Sequence, residues 1–246
     1  MDSIEKLGVE GKGVASGVGV LDKAVAILSF LAEGGPATLA QVVGGTGLSR
    51  PTAHRLLAAL EAHRLVGRVD GRYSLGARLS LWGSRAGGLD LTQAARPVLV
   101  ALRDETGEST QLYVREGDHR VCVASVERAG GGLRDTVPVG AVLPLDRGSG
   151  GKVLLAWAED VESLPGADAA KIEKTRARGW VESVAEREAG VASVSAPVFG
   201  TKGELRAAVC ASGPVSRLGE RPGERLAEPV VAAAREIEAA LGSRRV

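Results

Sequence analysis

The sequence is poor in the residues that hold metals and stack cofactors. Its 246 residues include two cysteines, three histidines and one methionine, and aromatic side chains make up 3%. Cys122 and Cys210 are too few for a disulfide framework and lack the clustered spacing of a structural zinc site. So few aromatics make a stacking cage for a planar nucleotide or flavin hard to build. No cofactor or metal is therefore expected. No uncharged apolar run approaches the roughly 18 residues that a membrane-spanning helix needs. The opening Met1-Asp2-Ser3-Ile4-Glu5-Lys6 has neither the basic start nor the apolar core of a signal peptide. These absences predict a cytoplasmic protein in a reducing compartment, with no membrane partner. What remains is ordinary: 44% apolar and 25% charged residues, enough for two modest cores.

Net charge is nearly absent too, at +1, but it is unevenly spread. Between Ser49 and Arg85 stand Arg50, Arg55, Arg64, Arg68, Arg72, Arg78 and Arg85 against Glu61 and Asp70, a net +5 that leaves −4 for the rest. A basic segment on an otherwise acidic chain is the footprint of a polyanion-binding module, although solvated arginines along a helix would count the same.

The first 19 residues carry Gly8, Gly11, Gly13, Gly17 and Gly19 with no sustained period and read as a flexible arm. From Val20, apolar residues at Leu21, Ala24, Ile27, Leu28 and Leu31 follow one helical face until Gly34-Gly35-Pro36. Thr38-Leu39-Ala40-Gln41 has the form of a capping box and opens a second, short helix. Gly47 supplies a turn, and Ser49 is expected to cap a third helix with Pro51 in its first turn. That helix buries Ala53, Leu56, Leu57 and Leu60 and turns Pro51, Thr52, His54, Arg55 and Ala58 the other way. Small, hydrogen-bonding residues with an arginine near a helix N-terminus suit a major-groove reader, and a plain solvated face would look similar. Val66 to Leu75 then reads as two strands around Asp70-Gly71, a strong hairpin turn. Helix-turn-helix plus hairpin is a winged helix, spanning 20–76, with Arg68 and Arg72 flanking the wing tip and Tyr73 and Leu75 anchoring the wing. Leu79, Leu81 and Trp82 mark a linker helix over 77–91 with an exposed apolar edge, as expected where protomers meet.

Residues 92–246 predict an α+β domain: a helix over Gln93–Thr106, strands at Ser109–Arg115, Arg120–Glu127, Leu133–Val139, Val191–Val198 and Leu205–Ser212, a helix over Asp168–Arg178 and a closing helix over Arg225–Leu241. Arg147-Gly148-Ser149-Gly150-Gly151-Lys152 precedes the apolar Val153-Leu154-Leu155-Ala156-Trp157, which places helix-terminal amides beside small side chains. A carboxylate suits that position; an ordinary glycine-rich cap is the competing reading. A nucleotide-phosphate loop is excluded, because Asp146 and Val153 stand where glycine and a hydroxyl would be needed. A hydrolase reading finds little support: His54 and His63 lie in the winged helix, only His119 remains as a base, and no G-x-S-x-G elbow exists. A ligand sensor acting through a protein partner is a further alternative, disfavoured by the intact basic face.

Several separated motifs resemble the IclR family of bacterial transcriptional regulators from about Val18 onward. They are the recognition-helix stretch Gly47 to Leu57, Thr106-Gly107-Glu108, Leu143-Pro144-Leu145, Gly151-Lys152, Arg178-Gly179-Trp180, the segment Gly190 to Val198, and Ser212-Gly213-Pro214. The stretch Leu133 to Gly140 is most similar to actinobacterial members linked to amino-acid metabolism. The resemblance implies a DNA-binding winged helix, a linker helix and a GAF-like effector-binding domain, assembled as a homodimer or a dimer of dimers. Contacts to double-stranded DNA are expected from Thr38, Ser49, Arg50, Pro51, Thr52, His54, Arg55, Arg68 and Arg72. A small organic-acid or amino-acid effector is expected at Leu143, Ser149, Gly150, Ser183, Ser193, Cys210 and Ser212. The chain departs from the family at Ser183, where some members have an acid, and at Ser193 and Cys210, where serine and cysteine are commonly exchanged. Dimer contacts are expected at Leu21, Leu28, Leu79 and Trp82, giving a roughly palindromic operator with half-sites about 10–10.5 bp apart or a multiple of that.

Overall fold

The computed structural model describes residues 16–85, 88–130, 135 and 137–243. The chain divides into two units, Met1–Gly87 and Gly88–Val246. Of the arm expected over 1–19, residues 1–15 lie outside the described residues.

In the first unit, α1 (Gly19–Gly34) buries Ile27 and Leu31 and stops at Gly35, whose φ of 71° suits glycine. After β1 (Ala37–Thr38), α2 (Leu39–Thr46) starts on the predicted capping box: Thr38 Oγ1 accepts from the Gln41 amide at 3.4 Å, and the Thr38 amide donates to Gln41 Oε1 at 2.9 Å. Gly47, left-handed at φ 67°, turns the chain into α3 (Arg50–Ala62), which buries the expected Ala53, Leu56, Leu57 and Leu60. β2 (Val66–Val69) and β3 (Arg72–Leu75) pair antiparallel around Asp70 (φ 50°) and Gly71 (φ 74°). Positive φ at both central residues is the turn that matches strand twist. The sheet order is β1-β3-β2, and its core joins Ile27, Val42, Leu57, Val66 and Tyr73. α4 (Ala77–Arg85) follows.

In the second unit, α5 (Gly88–Thr106) leads into β4 (Ser109–Glu116), β5 (His119–Val126) and β6 (Val142–Pro144). Then come α6 (Ser149–Ala156), a 3-10 turn at Val161–Ser163, α7 (Ala169–Arg178) and β7 (Val181–Val184). The chain continues through β8 (Val191–Phe199), β9 (Leu205–Pro214), α8 (Val215–Leu218) and α9 (Gly223–Ser243). The six strands are antiparallel in the order β6-β5-β4-β9-β8-β7. Strand alternation decides what each face carries. β8 and β9 send Val194, Val198, Val209 and Ala211 into a core with Leu99 of α5 and Leu226 and Ile237 of α9. Each fully buried side chain of this size stabilises by about 1.5–3 kcal/mol. The opposite face carries Ser193, Ser195, Cys210 and Ser212, and α6 packs there with Val153 and Leu154 against Tyr113 and Cys122. At the edge of this unit Glu108, fully buried, is held by Arg217 through two bonds of 2.5 Å.

Five sequence expectations change. The strand over Leu133–Val139 is absent at Asp135, Val137 and Pro138, and Val139-Gly140 forms a turn; Leu133, Arg134 and Thr136 lie outside the described residues. The sheet edge is instead β6, too short and too proline-bounded to show a period of two. β7 was not anticipated. The linker helix expected over 77–91 is α4 up to Arg85, while 88–91 belong to α5. Ser49 makes no side-chain cap and donates to Thr52 Oγ1 at 2.9 Å. Leu75, expected to anchor the wing, is 41% exposed, and Tyr73 alone of the pair is buried.

Candidate functional site

Two places in the chain gather unspent polar groups, one on each unit. On the first, α3 presents Arg50, Pro51, His54 and Arg55 to solvent with Thr52 half-buried, opposite its buried stripe. The side chains of Arg50, His54 and Arg55 make no hydrogen bond or ion pair among the described residues. Arg68 lies with its guanidinium 5.2 Å from the Tyr73 ring centroid, so the buried ring braces the wing's cation. Arg72 is less available than expected, since it donates to the Pro36 carbonyl at 3.1 Å. Thr38 is occupied by its cap. Of the expected dimer contacts, Leu21 (54%) and Trp82 (48%) are exposed, whereas Leu28 and Leu79 are half-buried and Leu28 packs on its own core.

On the second unit, a narrow polar cleft lies at the N-terminus of α6. It is lined by Ser149, Gly150, Ser183, Ser193, Cys210 and Ser212, six of the seven residues expected to bind an effector. Leu143 is not among them: it sits on β6 at the sheet edge, paired with Arg120 and half-buried against the Tyr113 and Cys122 core beside the cleft. Ser149 Oγ forms the centre of a hydroxyl cluster, 2.7 Å from Ser193 Oγ and 2.8 Å from Ser195 Oγ. Gly150 is small for a reason other than ligand access. A Cβ there would lie 3.0 Å from the Tyr113 ring, so the glycine lets α6 settle onto β4.

Charged groups that the sequence did not single out complete the cleft. Arg120, 2% exposed, donates to the Arg147 carbonyl at 2.7 Å and lies 5.0 Å from the Tyr113 ring centroid, while its Nε has no acceptor among the described residues. Its guanidinium lies against the first turn of α6, where a Cβ on Gly148 would be 3.2 Å from Nη2. That turn carries amides with no intrahelical partner and the positive end of the helix dipole. Asp135 holds Arg187 at 2.6 Å through one oxygen and accepts from Ser212 Oγ at 2.7 Å through the other. The single Ser212 proton serves this nearer, charged acceptor rather than Gln111 Oε1 at 3.1 Å. The turn that carries Arg187 holds Ala185 at φ 55°, a left-handed backbone that disfavours a side chain.

Burial shapes the protonation of these groups. It lowers the Arg120 pKa, against the opposing pull of Tyr113. Burial pushes the Tyr113 phenol well above its ordinary value, with the neighbouring cysteines adding to the shift. The Cys122 thiol is pushed up to about 12 and the Cys210 thiol is raised, so both are neutral small side chains and not nucleophiles. At Arg187 burial works against the charge, and the Asp135 carboxylate outweighs it to raise the pKa. The cleft thus brings together two guanidinium groups, Arg120 and Arg187, one carboxylate, Asp135, and several hydroxyls.

A family model for the IclR helix-turn-helix domain matches residues 20–70, and one for the C-terminal region of bacterial IclR transcriptional regulators matches residues 84–166 and 168–239. The chain belongs to the IclR family. It is 33% identical to the glycerol operon regulatory protein of Streptomyces griseus, over 93% of this chain and 96% of that one. The crystal structure of the Thermotoga maritima IclR is 25% identical and superposes with a TM-score of 0.65, covering 91% of this chain and 99% of that one. An IclR homologue from Microbacterium hydrocarbonoxydans complexed with 4-hydroxybenzoate matches with 25% identity and a TM-score of 0.66 over 91% of this chain and 99% of its own.

Membership makes this chain a DNA-binding transcriptional regulator of the IclR type, with an N-terminal winged helix-turn-helix and a C-terminal α+β, GAF-like effector-binding domain. Among the described residues no helix is long and apolar enough to cross a membrane.

Proposed function

We propose that this IclR regulator reads a roughly palindromic operator as a homodimer or dimer of dimers, and that a small carboxylate bound at the N-terminus of α6 sets its operator affinity. On the DNA side, Thr52 and Arg55 read base edges while Arg50 and Arg68 position the duplex through its phosphates. Arg72 contributes to the wing chiefly by tying it to Pro36. An effector that binds one arrangement of the dimer better shifts the population toward it, and with it the spacing of the two winged helices.

The observation that carries the effector reading is Arg120. A buried guanidinium with an unpartnered Nε, set beside a helix N-terminus, is a strained accumulation of positive charge that one carboxylate relieves. The 4-hydroxybenzoate bound by the Microbacterium homologue is itself a carboxylate and lends support to this class. Footprinting upstream of the chain's own gene, with monocarboxylates and 2-oxo acids added in turn, tests both halves. A protected palindrome whose affinity changes with one of these acids is expected; protection that no carboxylate alters would overturn the effector assignment. In the same assay Arg68→Ala should weaken specific and random DNA alike and reduce the salt slope by about 1.

A further inference from the structure

The charges around the cleft come in pairs, with one left over. Lys152 pairs with Glu186. Arg147 lies 3.8 Å from Asp146 at the rim, and Arg187 is bonded to Asp135 at 2.6 Å inside it. Arg120 alone has no carboxylate partner among the described residues. Asp135 is 7% exposed, and both of its oxygens are engaged within the cleft, on Arg187 and on Ser212. The cleft thus contains two cations, the buried Arg120 and the half-buried Arg187, of which the second is already neutralised by a residue of the chain.

We propose that the cleft accepts a singly charged anion, and that Asp135, by neutralising Arg187 from within, is the residue that refuses a second carboxylate. The inference rests on the carboxylate reading of the cleft given above and adds the charge of the ligand and its determinant. A monocarboxylate meets Arg120 and the α6 amides and leaves the pocket balanced. A dicarboxylate of the same length brings its second charge toward Asp135 in a water-poor site. Like charges a few ångströms apart in such a medium disfavour binding by about tenfold to a hundredfold. Were Asp135 absent, Arg187 would instead face the second carboxylate and bind it.

Calorimetry on the full chain near neutral pH decides this with probes that differ only by a second carboxylate: propionate with malonate, butyrate with succinate, benzoate with terephthalate. The unaltered protein should prefer the monoanion in any pair it binds, by about tenfold or more. Asp135→Asn should move that ratio toward the dianion by about tenfold or more, because Arg187 is then uncompensated. Asp135→Asn combined with Arg187→Gln restores the original charge balance and should restore the monoanion preference, a rescue that a merely structural role for Asp135 would not produce. Arg187→Gln alone, which leaves Asp135 uncompensated, should weaken both members of a pair and the dianion more; it serves as the test should Asp135→Asn unfold. Monocarboxylate binding with an unchanged ratio in Asp135→Asn, or unchanged affinities in Arg187→Gln, would overturn the role of Asp135 while leaving the carboxylate site standing. No binding of any of the six probes to the unaltered protein would overturn the carboxylate reading itself.

Discussion

The two units use charge in opposite ways. The winged helix shows its cations: Arg50 and Arg55 are exposed on α3, and Arg68 is exposed on the wing over the Tyr73 ring. The effector-binding unit buries charges of both signs: Arg120, Asp135 and Glu108 are 2%, 7% and 0% exposed. On the proposed function, the difference follows from the partner each unit meets. A DNA duplex is large and solvated, so a cation serves it best from the surface, where long-range attraction speeds encounter. A small acid must be recognised with a few contacts, which are strong only where water is excluded. Removing an exposed cation should leave the fold unharmed, whereas removing one member of a buried ion pair should cost stability.

The largest effect expected from this contrast is on stability, in the second unit. Arg217→Met strips the fully buried Glu108 of its fork of bonds and should cost about 3–5 kcal/mol, because a buried charge is left uncompensated. Denaturant unfolding measures it, and a loss below about 1 kcal/mol would mean that the pair is as dispensable as a surface one. Arg55→Ala should leave stability unchanged and weaken operator binding by about 1–3 kcal/mol, with relaxed preference at one base pair. Equal losses on operator and random DNA would place Arg55 on phosphate instead. Smaller still, Thr38→Ala removes the cap of α2 and should cost the first unit about 1 kcal/mol while sparing the contacts of α3. A loss of operator affinity larger than the loss of stability would return Thr38 to the DNA contacts.

The same contrast explains which features were legible in the sequence. Local rules wrote the first unit: a box at Thr38 and Gln41, a stripe at Ala53, Leu56, Leu57 and Leu60, and a turn at Asp70-Gly71 all lie within a few residues of one another. Where the local rule had a competitor it failed, as at Ser49, whose hydroxyl bonds Thr52 rather than an amide. The cleft serines were placed by family resemblance. The charged residues that complete the cleft were not, because the pair Asp135–Arg187 spans 52 positions and the contact of Arg120 with the carbonyl of Arg147 spans 27. One signal was available. Arg120 shares a strand face with Cys122, and a charged residue alternating with a buried one on the same face marks a position that needs a partner. β6 and β7, with 3 and 4 residues, are too short for any period to show.

The central claim is that Arg120 senses the acid and α3 grips the DNA, so that one residue change should uncouple them. The direct measurement is operator affinity of Arg120→Met, beside the unaltered protein, as the monocarboxylate found active in footprinting is titrated in. The account predicts operator binding within about twofold of the unaltered protein without the acid, and no response to the acid at concentrations that saturate the original. An Arg120→Met variant that responds to the acid at the same concentration as the unaltered protein would contradict it.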